Sequence, residues 1–540
     1  MKFSEMTYTR PDPAASKQRL SALTAELKAA KSYEEARKVF LSQQELMSHI
    51  STAATLASIR HSIDTRDKFY DGEEKFWNNF NPELEEYNQA WTAAMLESPF
   101  RADFEKEYGD LMFVNAEIAL KTFSPAIIPE LQQENDLTQE YEKLLASAQI
   151  PFEGKVYTLS QLSPFKTCAD DEKRLAAWKA EGQWYKDNQA KFDELYDKLV
   201  HLRDAMGKKL GYEGYTTLGY YRMGRNCYTK ADVEKFRAAV VKYIVPLADS
   251  IYREQAGRLG KQYPMNAADN ALMFRSGNPR PAGDADAILK QGKKFYEELS
   301  PETGVFFNKM LDDQLMDVLS TPGKAGGGYC TSLGDYEMPF IFANFNGTQH
   351  DVEVVTHEAG HAFAAYMNRD RIPYSYVWPS MEACEVHSMS MEFFAWRGRC
   401  FSRGCPQVPL QPSGGCADLH PLRHNGGPFP AHRLRASRAD PGPAPRGMAK
   451  SWLPSISPGC VWTARSRSTA RVSTGSARCT FIRARSTTST TVWPRPSACS
   501  LGDAAKGPRR CVEPLHGLHE AGRQPHLHRT AEKRRPVHAV

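Results

Sequence analysis

The pair His357 and His361 constrains this chain more than any other feature. They lie four residues apart in Val354-Val-Thr-His-Glu-Ala-Gly-His-Ala-Phe363, so on an α-helix they share a face and their imidazoles can converge on one metal ion, with Glu358 beside it. Imidazole nitrogens suit zinc. A catalytic zinc also takes a third protein ligand and keeps one position open for water. Carboxylates follow in Ser380-Met-Glu-Ala-Cys-Glu-Val-His-Ser-Met-Ser-Met-Glu392, where Glu382, Glu385 or Glu392 could close the site. Two histidines and a glutamate also meet this pattern by chance; the acidic second segment favours a metal.

The flanks predict a helix. Asp351 or Thr348 can cap its start, Val354, Val355, Ala362, Phe363 and Tyr366 give it apolar surface, and the stretch from Arg369 to Pro373 ends it. Gly360 costs about 1 kcal/mol of helix propensity relative to alanine. The missing side chain leaves room for another backbone or for a substrate.

His357-Glu-Ala-Gly-His361 followed by Glu385-Val-His-Ser-Met-Ser-Met-Glu392 resembles the zinc site of the M3 metallopeptidases, the thimet oligopeptidase and oligoendopeptidase F group. The resemblance implies one zinc ion held by His357, His361 and Glu385, which lies 24 positions after His361, with Glu358 as the catalytic base. Glu382 is then either a partner that orients a histidine or a solvated helix residue. His387 and Cys384 are expected to pack or hydrogen-bond. The implied activity is zinc-dependent hydrolysis of internal bonds in short oligopeptides, inside a channel enclosed by helices.

Over 540 residues, 41% of them apolar, no run is long enough to cross a bilayer, and the first ten residues hold no signal-peptide core. The expectation is a cytoplasmic protein with no membrane partner. The fold class is mainly α: an M3 peptidase-like helical fold with a small β-sheet beside the zinc helix. From Ser16 to about Ala126 the apolar positions recur with helical spacing, as at Leu20, Leu23, Leu27, Val39, Phe40, Leu46 and Ile50. Phe69, Phe76, Trp77, Phe80, Tyr87 and Trp91 are expected in the core. Pro301 to Asp317 reads as a helix, and Met338-Pro-Phe-Ile-Phe-Ala-Asn-Phe345 as a strand ending at the Asn346-Gly347 turn. That strand belongs either to a sheet whose edge takes up an extended peptide or to a buried structural hairpin. The resemblance favours the peptide. The organisation expected is an N-terminal helical region over 1–165, a zinc peptidase region over 166–396 and a tail over 397–540.

The tail has another texture. From Arg397 onward there are 21 Arg and 3 Lys against 6 Asp and Glu, a net +18, whereas the rest of the chain carries −13. It holds seven of the 11 cysteines and none of the 23 tyrosines. The remaining cysteines, Cys168, Cys227, Cys330 and Cys384, suit a reducing compartment. A basic tail could contact nucleic acid, which makes the alternative function a helical, metal-containing binding protein.

Reading frame offers a simpler account, under which no nucleic-acid partner is expected. Ser486-Thr-Thr-Ser-Thr-Thr-Val-Trp-Pro494 can be encoded so that reading one nucleotide earlier gives YYIDYCLA, and Cys479 to Arg485 permits H-I-[YH]-[QK]-x-P-F before it. These strings resemble the histidine and tyrosine motif near the C-terminus of M3 enzymes. Arg397-Gly398 admits the same shift, and 516–540 can encode an amphipathic helical end in the remaining frame. The tail is therefore expected to be a frameshift product, disordered or without a native structure, and the written chain to have lost the oxyanion-holding residues that the family implies.

Overall fold

The computed structural model describes residues 1–397 together with 460 and 461. Most of the basic tail, and with it the expectation of a disordered or non-native segment, lies outside the described residues.

Short polar side chains start the first three long helices. Asp12 accepts from the Ala15 N–H at α1 (Pro13–Ala29), Ser32 from Glu35 at α2 (Tyr33–Ile63), and Asp67 from Phe69 and Tyr70 at α3 (Lys68–Leu96). Each satisfies N–H groups that a first turn leaves without partners. Leu20, Ile50, Trp77, Phe80 and Leu84 pack between these helices. Leu23, Leu27, Phe40 and Trp91 pack with Phe104 of α4 (Arg101–Tyr108) and Phe113 of α5 (Leu111–Ala119). Phe69 departs from the expectation of a core residue: in the first turn of α3 it is 57% exposed.

After α6 (Ile128–Ala146), strands β1 (Ile150–Phe152) and β2 (Lys155–Tyr157) form a hairpin. Its two turn residues, Glu153 and Gly154, both take positive φ, as a tight hairpin demands. Next come α7 (Leu159–Leu162), α8 (Asp171–Asp187), α9 (Gln189–Lys209) and α10 (Tyr215–Arg222). Glu134 of α6 ties these layers together, accepting from Arg203 at 2.5 Å and from Arg222 at 2.8 Å in a buried cluster. Helices α11 (Lys230–Ala239) and α12 (Val245–Leu259) are joined by one wide π turn, Val240–Ile244. Pro246 accounts for it, because it has no N–H to give to the carbonyl four residues back. The short β3 (Met265–Asn266) pairs in parallel with Cys460–Val461.

Ser300 and Pro301 open α14 (Pro301–Asp312), which follows α13 (Ala285–Leu299). This helix is shorter than its sequence suggests. Gln314 takes a positive φ of 54°, which stops the helix, and the chain continues as β4 (Met316–Leu319). With β5 (Tyr329–Leu333) and β6 (Met338–Phe345) it forms a three-stranded sheet in the order β4-β6-β5, β6 lying parallel to β4 and antiparallel to β5. Central β6 is buried at every residue but Asn344, which explains its unbroken apolar run. The buried Lys324 donates to the Leu319 carbonyl at 2.7 Å and to Asp317, fixing the glycine-rich approach to β5. Then come α15 (Gln349–Met367) and α16 (Cys384–Arg397). Phe306, Phe307, Phe340, Phe342, Val355, Phe363, Met391 and Phe394 form the core shared by α14, β6, α15 and α16. No described helix is long and apolar enough to cross a membrane.

Candidate metal centre

Helix α15 begins differently from expectation. Thr348 stands at the N-cap position, but its hydroxyl donates to Asn346 Oδ1 at 2.7 Å and caps nothing. Asp351, three residues into the helix and buried, reaches back instead. Its carboxylate accepts from the Asn346 and Gly347 N–H groups at 2.7–3.1 Å and holds the turn leaving β6. Gly347 takes a φ of 81° there, a conformation that favours glycine.

The histidine rings on α15 have centroids 4.9 Å apart and stand nearly perpendicular. Their Nε2 atoms both face Glu385 Oε2 of α16, at 3.4 Å from His357 and 3.9 Å from His361. Ligand atoms of His357, His361 and Glu385 all lie within 4.8 Å of one another. Two imidazole nitrogens and a carboxylate oxygen around a common point form a donor set that fits a zinc ion. The outer nitrogen of His357 meets Glu392 Oε1 at 2.6 Å, so a carboxylate fixes the ring and leaves Nε2 for the common point. Ser388 does the same for Glu385, its hydroxyl donating to Oε2 at 2.9 Å.

Gly360 brings the two helices together. A Cβ there would stand 2.6 Å from Ser388 Cα and 2.8 Å from the His387 carbonyl oxygen, so of the sequence's two alternatives it is a backbone that makes the close approach.

Glu358 is buried beside the histidines, and the first residue before β5, Gly328, faces its carboxylate. Burial, opposed by His357 and aided by Glu385 and Glu392, pushes the Glu358 carboxyl up to about 7. Burial alone would push His357 down, but its hydrogen bond to Glu392 and the charges of Glu385, Glu392 and Glu358 carry it up to about 9. His361, buried and next to the charge of His357, is pushed down to about 3. A buried base that changes protonation near neutral pH suits proton transfer.

Strand β5 pairs with β6 alone among the described residues and is half-buried over most of its length. It is thus an edge strand beside Glu358 rather than a buried hairpin. Trp378, in the connection from α15 to α16, donates to Ser332 Oγ on β5 at 3.0 Å.

Two of the competing glutamates take roles that sequence reasoning did not assign. Glu392 orients His357. Glu382 neither orients a histidine nor faces solvent: it precedes α16 and is buried against Arg225, with Arg225 Nε 3.2 Å from its Oε1. Cys384 hydrogen-bonds, as expected, to the Met381 carbonyl. A signal for Glu392 and Ser388 was available, since 385, 388 and 392 share one helical face. Nothing local signals Arg225.

In comparison with known proteins, residues 3–123 match the family described as Peptidase M3 N-terminal domain, and residues 294–403 match Peptidase family M3. The chain is 23% identical over 386 residues to Oligopeptidase PepF of Bacillus subtilis (strain 168), covering 65% of this chain and 54% of that protein, so the match spans about half the length of this relative. Among solved structures, PZ peptidase A with inhibitor 2 superposes with a TM-score of 0.86 at 38% identity, over 93% of this chain and 88% of the other. A structure from Bacillus anthracis str. Ames described as an oligoendopeptidase F gives a TM-score of 0.86 at 34% identity, over 97% and 92%.

Proposed function

Since this chain belongs to peptidase family M3, we propose that it is built as a zinc-dependent endopeptidase that hydrolyses internal bonds of short oligopeptides. The observation that carries this reading is the convergence of His357, His361 and Glu385 on one point with Glu358 buried beside it.

His357, His361 and Glu385 would hold one zinc ion, which when bound lowers the pKa of a water and polarises the scissile carbonyl. The remaining work falls to side chains. Glu358 takes the proton of the attacking water on its carboxylate and passes it to the leaving amine, a task suited to a carboxyl raised to about 7. Glu392 and Ser388 keep two of the ligands aimed. The side of β5 away from β6 offers main-chain groups to an extended peptide, which needs no particular side chains and so suits a substrate class defined by length.

The tail is, on this reading, a product of a shifted frame. Supporting it, the family match ends at residue 403, close to Arg397, where the charge and tyrosine content change. The written chain then retains the metal ligands and lacks the tyrosine and histidine that would hold the oxyanion. Losing one such donor typically costs on the order of a hundred- to a thousandfold in rate.

The test is a pair of measurements on the written chain and on a frame-restored chain. Glu358→Gln is expected to keep one zinc per chain while cleavage of a fluorogenic oligopeptide by the restored chain falls by about 10²–10⁴. His357→Ala and Glu385→Gln are expected to bind zinc more weakly in both chains, losing it on dialysis while still taking up added metal. Unchanged cleavage in Glu358→Gln, or unchanged zinc in both ligand variants, would refute the reading.

A further inference from the structure

Arg225 and Glu382 are 157 positions apart in sequence and meet inside the protein. Their side chains are 2% and 4% exposed. The guanidinium lies 3.9 Å from the ring centroid of Tyr220 and 5.6 Å from that of Tyr228, while the second carboxylate oxygen, Glu382 Oε2, is buried without a hydrogen-bond partner among the described residues. Desolvating two charges is costly, and apolar residues of similar volume often stabilise as well or better. Stability is therefore a poor explanation for the pair.

Its place in the fold is a better one. Glu382 lies in the turn that opens α16, where the Ala383 N–H donates to Ser380 Oγ at 3.3 Å and the Cys384 N–H to the Ser380 carbonyl at 3.0 Å. Glu385 follows in the first turn of the helix, where N–H groups lack intrahelical partners and ends fray. The middle of α16 is fixed against α15 at Gly360. Its start is fixed from another direction: Arg225 stands just beyond α10, which is itself tied to α6 through Arg222 and Glu134.

We propose that Arg225 is a positioning residue for Glu385. By gripping Glu382 it sets the rotation of the first turn of α16, so that Glu385 Oε2 stays at 3.4 and 3.9 Å from the two histidine nitrogens. The proposal rests on the reading of His357, His361 and Glu385 as metal ligands.

The experiment uses the full chain stripped of metal and reloaded with zinc or cobalt(II). Affinity is read by competition with a chromophoric chelator, and coordination by the visible spectrum of the cobalt form. Arg225→Met is expected to weaken metal binding about 10- to 100-fold, as loss of a ligand-orienting partner does, and to move the cobalt spectrum toward that of Glu385→Gln. Added to Glu385→Gln, the same substitution is expected to change affinity by less than about twofold, because the residue through which it acts is gone.

Arg225→Met leaves a buried carboxylate without a counter-charge, so the double variant R225M/E382M is read alongside it. That variant removes both charges, and its thermal midpoint is expected to match or exceed that of the parent while metal affinity still falls tenfold or more. Parental affinity in R225M/E382M, or equal losses from Arg225→Met with and without Glu385→Gln, would overturn the proposal and leave the pair a structural one. Affinity unmoved by Glu385→Gln itself would overturn the ligand reading, and the inference with it.

Discussion

The protonation of the two histidines sets how the site would take up a metal. His357, held up to about 9 by its carboxylate neighbours, carries a proton at pH 7, whereas His361, pushed down to about 3, does not. Metal uptake at pH 7 should therefore expel the proton of His357, and affinity should rise with pH up to about 9. Calorimetry in buffers of different ionisation enthalpy counts the proton directly. Glu392→Gln removes the first of the interactions that raise His357, so fewer protons should be released than from the parent, and affinity should still fall about 10- to 100-fold because the ring is no longer oriented. An unchanged proton count in that variant would mean that Glu392 does not control His357.

At the scale of elements, the site depends on how closely α15 and α16 approach. Gly360→Ala sets a methyl group 2.6 Å from Ser388 Cα, and backbone cannot yield as a flexible side chain can. Overpacking of this kind typically costs about 1–3 kcal/mol, and here it also pushes Glu385 away from the histidines. Thermal denaturation and metal affinity should both fall; a gain in stability, as expected of Gly→Ala in an open helix, would show that the helices are not in contact there. Much of this arrangement was legible in the sequence. The run from Met338 to Phe345 is read as a strand because it is apolar without a break, and His357 and His361 are placed on a helix by their spacing. What was not legible depended on distant partners or on backbone geometry. Gln314 looks like a helix residue until its positive φ ends α14 early, and Glu382 looks like an exposed helix residue because the arginine that buries it comes from far upstream.

At the scale of the whole molecule, the proposed metal donors and the side chains that orient them are encoded before Arg397, and the basic segment begins there. Restoring the frame after Trp396 should therefore leave zinc stoichiometry unchanged while raising peptide cleavage by about a hundredfold or more, through recovered oxyanion donors. Equal cleavage by the written and restored chains would show that the tail costs nothing, and resequencing the gene across codons 391–540 would show whether the frame was ever broken.

Helices α15 and α16, which carry the proposed ligands, are joined by a connection that runs from Asn368 to Ala383 and is pinned to β5 at Trp378. An ion bridging His361 and Glu385 would convert that connection into a closed ring, as a covalent cross-link does. Closing a ring of this size removes on the order of 3 kcal/mol of chain freedom from the unfolded state. The ion would then be a fastener as well as a reagent, and stripping it with a chelator should expose the ring between the helices to proteolytic nicking while α1 to α3 resist; cleavage scattered over all of them would argue against it.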